Sequence, residues 1–394
     1  MEVGKEVTFT RDKAREIVIR TVRTFLNNHE INRATALQGI EGRLSADFEI
    51  HANAIKTSLL PSLSSKLGQA CNLLISIYCQ SNLDFNLLLL LLKLLIQTES
   101  IMSQIVRSLH AFWIRDDSHD FRVLEGTTGC EMQRYRCVKT HFKVGSIFRV
   151  LGSLFSFIPF SGTDHTTAHY VMGSARICAR EMITEYTDNG REDIDDLIRW
   201  LGLTDLGVIQ YEWGKAAGEI SVLLNNCTEF VMLEPPGNYT KPLQQMMPVF
   251  KLSRLFFNKM SNVTTKNEGY PIFSEMSPEL LLQLHNYTAG LRKVLVEFYE
   301  DISIQWPVEE RYDTRPDGKF LDNFRRALSL INTHLISLQA KSPSAHQELY
   351  QKYMTWYEDW EVLFFVAYNR FHSEYSDFYV NSVEDSSSGE SDSE

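Results

Sequence analysis

Two short polar stretches contain the side chains most able to bind a metal ion or to move a proton. The first is "DDSHD" and the second is "DHTTAH". Two histidines four residues apart can place both imidazoles on one face of a helix, as in many zinc sites. A metal site also needs a third convergent ligand and groups that orient the ligands. Nothing in the sequence shows that these side chains converge, so we interpret both stretches as polar loop residues: Asp116, Asp117, His119 and Asp120 in the first, and Asp164, His165 and His169 in the second.

Other patterns that indicate catalysis are missing from the sequence. It has no glycine-rich phosphate loop, no G-x-S-x-G, no C-x-x-C and no H-E-x-x-H. We therefore predict no catalytic, cofactor-binding or metal-binding residue, and a protein that is not an enzyme. The alternative is a helical enzyme, metal-dependent in one version, with its site in the region from Asp116 to His169.

Residues 241–266 form a basic segment without a single acid. At about 100° per residue, its apolar side chains fall on one side of a helix and its basic side chains on the other. A core helix with a solvated basic face is the preferred interpretation, and peripheral binding to an anionic membrane is the alternative. The apolar members are Met246, Val249, Phe250, Phe256, Phe257 and Met260, and the basic ones are Lys241, Lys251, Arg254, Lys259 and Lys266.

The run "NLLLLLLKLLIQTES" begins at Asn86 and poses the question of a membrane span. A spanning helix needs about 20 apolar residues, whereas this run is broken by Lys93 and closed by Gln97 and Glu99. Leucine favours helix, so we predict a helix over residues 83–112 and no transmembrane segment. Because the run is apolar nearly all round, we expect other helices to surround it and Leu90 to lie in the core.

Three further helices are predicted near the C-terminus from apolar residues at three- and four-residue spacing. Trp356, Trp360 and Phe364 invite a base-stacking interpretation, but their spacing favours a place in the core. The three stripes are Leu280, Leu284, Tyr287, Leu291, Val294, Phe298 and Ile302; then Phe324, Leu328, Ile331, Leu335 and Leu338; and last Leu349, Tyr353, Trp356, Trp360, Leu363, Ala367 and Phe371.

These elements predict an all-α fold, a bundle of long antiparallel helices in two packed sub-bundles. We expect an N-terminal bundle over residues 1–114, an unassigned segment over 115–186 and a C-terminal bundle over 187–382. Residues 383–394 hold five acids and no base, which predicts a disordered acidic tail. We also hypothesise that this tail covers the basic side chains of Lys251, Arg254 and Lys259.

Charge and composition narrow the classes of partner. The formal net charge of −11 disfavours general nucleic-acid binding, which requires a basic surface. The N-terminus lacks the apolar stretch of a signal peptide, so we expect a cytoplasmic or nuclear protein with reduced cysteines. The oligomeric state is left open.

Three segments resemble known proteins: "MMPVFKLSRLFFNKMS", "PIFSEMSPELLLQL" and "YQKYMTWYEDWEVLFFVAYNRF". They look like parts of uncharacterised all-helical proteins found in fungi. The first two also resemble, more remotely, the C-terminal helices of the cyclin-D-binding, Maid-like proteins. That resemblance implies a helical-bundle regulator that binds other proteins and performs no catalysis. Our expectation is thus a non-enzymatic interaction protein that binds partners through helix faces.

Overall fold

The computed structural model describes residues 43–79, 85–114, 130–156, 174–233, 240–261, 272–303, 319–341 and 344–387, with six helical positions between Lys13 and Thr24. The fold is all-α, as predicted. In the described part, the extended pairing is one two-residue ladder, in which β1 (Arg43–Leu44) runs antiparallel to β2 (Trp113–Ile114). The chain divides into two compact units, Met1–Leu203 and Thr204–Glu394.

The N-terminal unit is built from five described helices. They are α1 (Phe48–Ala54), continued by a π-helical turn (Ile55–Leu59), α2 (Leu60–Cys79), α3 (Phe85–His110), α4 (Cys130–Ser156) and α5 (Ser174–Leu201). α2 contacts both α3 and α5, and α5 also contacts α4. The core of the unit therefore lies between α2 and its neighbours.

α4 and α5 run antiparallel and are joined by polar contacts at their edges. Lys143 pairs with Asp196 at 3.2 Å. Arg136 donates to the carbonyl oxygens of Leu201 (3.5 Å) and Leu203 (3.0 Å). The last carbonyls of a helix have no partner within the helix, and a cation also suits the negative end of the helix dipole. Arg136 thus stabilises the C-terminal end of α5.

The C-terminal unit also contains five described helices: α6 (Asp205–Leu233), α7 (Thr240–Ser261), α8 (Pro278–Ser303), α9 (Lys319–Lys341) and α10 (Ser344–Ser387). α7 packs between α6 and α10, and α9 contacts α8 and α10. α7 and α10 run antiparallel, because Lys241 pairs with Glu374 while Lys259 lies over Tyr353. Aromatic rings fill the space between these helices, with Phe256 within 5.0 Å of both the Phe324 and Trp360 ring centroids.

The segment left unassigned, residues 115–186, contains two helices in its described part. It includes all of α4 and the first half of α5, so the predicted boundary at 186/187 falls inside α5. α4 is hard to recognise because its buried face includes polar residues. Thr140 is fully buried and donates to the carbonyl of Arg136, and buried His141 accepts a hydrogen bond from Trp113. These two residues interrupt the apolar pattern on which the prediction depends.

The acidic tail is helical over its first five residues. α10 continues to Ser387, whereas a disordered tail was expected from residue 383 onward. Residues 388–394 lie outside the described part of the chain.

Candidate functional site

The outer face of α3 is an exposed apolar surface on the N-terminal unit. Leu89, Leu90 and Ile96 are exposed by 40%, 55% and 54%. At about 100° per residue these three side chains lie within one side of the helix, and exposed Lys93 lies among them. We call Leu89, Leu90, Lys93 and Ile96 the α3 outer face.

The opposite side of α3 is core. Leu88, Leu91, Leu94 and Leu95 are buried, and α3 contacts α1, the π-helical turn and α2. The expectation that helices surround the leucine run on all sides is therefore wrong, as is the placement of Leu90 in the core. Polar residues in the sequence indicate which side of α3 is exposed to solvent: Asn86, Lys93, Gln97 and Ser100 share one side of the helix with Leu89.

Residues Asn86–His110 are long and apolar enough to cross a membrane by length and composition alone. This is the one such helix among the described residues. A core helix of a soluble protein meets the same criteria, and four leucines here pack as core residues do. It is not a convincing membrane span.

A polar depression continues the α3 outer face toward the C-terminal end of the helix. Its volume is about 450 Å³, and it lies between α3 and the segment formed by α1 and the π-helical turn. Arg107 projects from the same side of α3 as Leu89, five turns along the helix. The lining residues are His51, Ala54, Ser58, Leu59, Gln104, Arg107 and Ser108. Along α3, the exposed residues therefore change from mostly apolar around Lys93 to mostly polar types around Arg107.

The residues weighed for metal binding or catalysis lie outside the described part of the chain. This applies to Asp116, Asp117, His119 and Asp120, and equally to Asp164, His165 and His169. Among the residues that the structure describes, no group of three His, Cys, Asp or Glu side chains is placed to hold a metal ion.

The basic segment forms α7, and its apolar side belongs to the core of the C-terminal unit. Met246, Val249, Phe250, Phe256, Phe257 and Met260 are all exposed by 1% or less. On the other side, Lys259 Nζ lies 4.4 Å from the centroid of the Tyr353 ring. Lys241 pairs with Glu374 at 2.6 Å, and this hydrogen bond raises the pKa of the Lys241 ammonium. Binding a membrane through the apolar side of α7 would thus require the unit to open.

The tail does not lie over the basic side chains of α7 in its described part. Glu374 is level with Lys241, at the start of α7. α10 continues away from α7, so Val383 lies roughly 13 Å beyond that point, while Lys251 lies roughly 15 Å in the other direction. The masking hypothesis is therefore wrong for residues 383–387.

Comparison with known proteins gives one match. Residues 204–373, less than half of the chain, match the model of a family described as a domain of unknown function (DUF8721). The match begins at the residue where the C-terminal unit begins. No curated protein and no solved structure matches the chain.

Proposed function

We propose that this chain is a non-catalytic interaction protein that binds an amphipathic helix of a partner protein on the α3 outer face. The observation that carries the proposal is the exposure of Leu89, Leu90 and Ile96 on one side of a helix whose other side is core. Helices commonly bind in this way, with apolar residues at three- and four-residue spacing placed against an apolar surface. The resemblance to Maid-like regulators supports the same class of function, in the cytoplasm or nucleus.

The charges on this side of α3 define the partner further. Lys93 lies in the middle of the apolar residues, so the partner helix should carry an acidic residue opposite it. Arg107 is exposed beside the depression, about four turns from Lys93, so the partner should carry a second acidic or amide side chain at that distance from the first. A second copy of this chain does not fit. A two-fold axis through the centre of the patch would place Lys93 against the Lys93 of the other copy.

Site-specific photocrosslinking in cells tests this proposal. A photoreactive amino acid is placed at Ile96, and, as a matched exposed control, at Glu185 on α5. We expect a protein adduct at position 96 that is absent at 185. The adduct should disappear when Leu90→Asp or Lys93→Glu is added, because each substitution alters the proposed binding surface. Both residues are exposed, so the fold should be unchanged.

The identity of the crosslinked segment decides the outcome. An amphipathic helix with an acid at the crosslinked level supports the proposal. The proposal is wrong if position 96 gives no adduct, or if its adduct persists in both surface variants.

A further inference from the structure

α10 has apolar side chains on two sides, and only one of them is used within the C-terminal unit. Tyr357, Trp360 and Phe364 are buried against the other helices. On the far side, Val362, Leu363 and Val366 are exposed by 65%, 58% and 49%. We call these three residues the α10 outer patch.

Charged residues flank the α10 outer patch in a definite order. Asp359 and Lys352 precede it, Arg370 and Asp377 follow it, and all four are exposed. At 100° per residue, all four fall within about 20° of one another, on a line that runs between Val366 and Leu363. From the N-terminal end, this line therefore presents lysine, aspartate, the apolar patch, arginine and aspartate.

This order is self-complementary when the helix is reversed. An antiparallel copy presents aspartate, arginine, the patch, aspartate and lysine, so each charge meets its opposite. In a two-fold pair of antiparallel helices, residues on the line of the first helix that faces the partner meet the same line of the second helix. A single chain gains nothing from the pattern, because Asp359 and Arg370 are about 16 Å apart along the helix. Neither forms an ion pair with another residue in the described part of the structure.

We propose that two copies of this chain associate through α10, antiparallel, about a two-fold axis midway between Val362 and Val366. Val362 then packs against the partner's Val366. Asp359 lies level with the partner's Arg370 to within one residue, about 1.5 Å along the axis. Lys352, which in one copy pairs with Glu348 at 3.1 Å, lies level with the partner's Asp377 to the same tolerance.

The size of the patch predicts a weak and reversible dimer. Three apolar side chains from each copy form a small interface, and small interfaces belong to transient complexes. The flanking ion pairs are exposed, so they contribute mainly orientation and are weakened by salt. The α3 outer face lacks this complementarity, because its central charge would meet itself.

Sedimentation equilibrium of the full chain, from low to high micromolar concentration, tests the proposal. We expect the wild type to form a dimer whose dissociation constant rises with salt. Asp359→Arg and Arg370→Asp each bring two like charges together at both contacts between positions 359 and 370 of the dimer. Each should raise the dissociation constant by about tenfold or more. The double variant D359R/R370D restores opposite charges and should restore dimerisation. Glu275→Arg, an exposed charge reversal elsewhere in the same unit, should have no effect.

A single variant could lose the dimer because it unfolds. The double variant distinguishes this case, since a misfolded protein would not regain a dimer through a second substitution. A wild type that stays monomeric at every concentration would overturn the proposal. This holds even if a different protein binds the α10 outer patch. A dimer that neither single variant weakens, or that the double variant does not restore, would also overturn it, because the copies would then meet elsewhere.

Discussion

At the scale of single residues, two neighbouring leucines of α3 have opposite environments. Leu91 is fully buried and Leu90 is 55% exposed. We expect Leu91→Asp to lower the free energy of unfolding by about 3–5 kcal/mol, since it buries a charge without a partner. Leu90→Asp should change it by no more than about 0.5 kcal/mol. Denaturant unfolding measures both, and equal losses would show that the orientation of α3 is wrong.

Buried ionisable groups in the C-terminal unit predict how stability depends on pH. Burial raises the pKa of the Cys227 thiol from 9.0 to about 12 and that of the Tyr368 hydroxyl from 10.0 to about 12. Both groups are neutral when protonated, so the folded state binds these protons more tightly than the unfolded state. Their contribution to stability is complete below about pH 9 and is lost as pH rises toward 12.

Tyr368→Phe separates one part of this effect. The variant keeps the aromatic ring but lacks the titrating hydroxyl group. Its free energy of unfolding should therefore fall less steeply between pH 10 and 12 than that of the wild type. Denaturant unfolding at pH 8, 10 and 11.5 gives the slopes. Parallel slopes for the two proteins would contradict a buried, neutral Tyr368.

At the scale of elements, the crossing of α5 with α2 and α4 depends on Gly190. A Cβ atom there would lie 2.8 Å from Leu67 Cδ2 and 3.2 Å from Val150 Cγ1. Val150 is stiff about its first side-chain torsion, and Leu67 is buried, so neither has much freedom to move away. We expect Gly190→Ala to destabilise the unit by about 1–3 kcal/mol.

Gly145 provides the matched control in the same unit. A Cβ atom at Gly145 meets nothing within 4 Å, so Gly145→Ala should stabilise α4 by up to about 1 kcal/mol through helix propensity. Thermal or denaturant unfolding of the two variants should give opposite signs. Stabilisation by both would mean that the helices are further apart than the structure shows.

The sequence predicts which side faces the core better for some helices than for others. In α9, all five expected core residues are buried, because most large apolar residues of that helix lie on one side. In α10, the predicted stripe is only partly correct: Trp360 and Phe371 are buried, whereas Leu363 is exposed and Trp356 is half-buried. Large apolar residues occur on two sides of α10, so spacing alone could not decide which side faces the core. On α3, by contrast, the polar residues Asn86, Lys93 and Gln97 do mark the open side.

At the scale of the whole molecule, each unit has its own buried core. In the N-terminal unit it includes Leu67, Leu91 and Trp200, and in the C-terminal unit Trp213, Phe256 and Tyr357. Composition and helix spacing were enough to predict two helical bundles. They did not place the boundary, because the second half of α5 was assigned to the following bundle. Asn189-Gly190, a pair that usually marks a turn, lies inside this helix.

The family match and the structural boundary both begin at Thr204, which predicts that residues 204–394 fold by themselves. Thr204 is also the natural first residue of this unit. Its hydroxyl accepts a hydrogen bond from the Gly207 amide at 3.2 Å and so caps the first turn of α6. We expect a polypeptide of residues 204–394 to be helical and to unfold cooperatively on heating.

A polypeptide of residues 187–394 is the informative comparison, since it adds the second half of α5 without the helices that cover it. Ile194, Leu197 and Trp200 are fully buried in the N-terminal unit, and all three would become exposed. Exposed apolar surface of this kind promotes association. The longer polypeptide should therefore bind a hydrophobic dye and elute as larger species on gel filtration, whereas the shorter one should not. If the shorter polypeptide is unfolded and the longer one is cooperative, the C-terminal unit begins within α5 and not at Thr204.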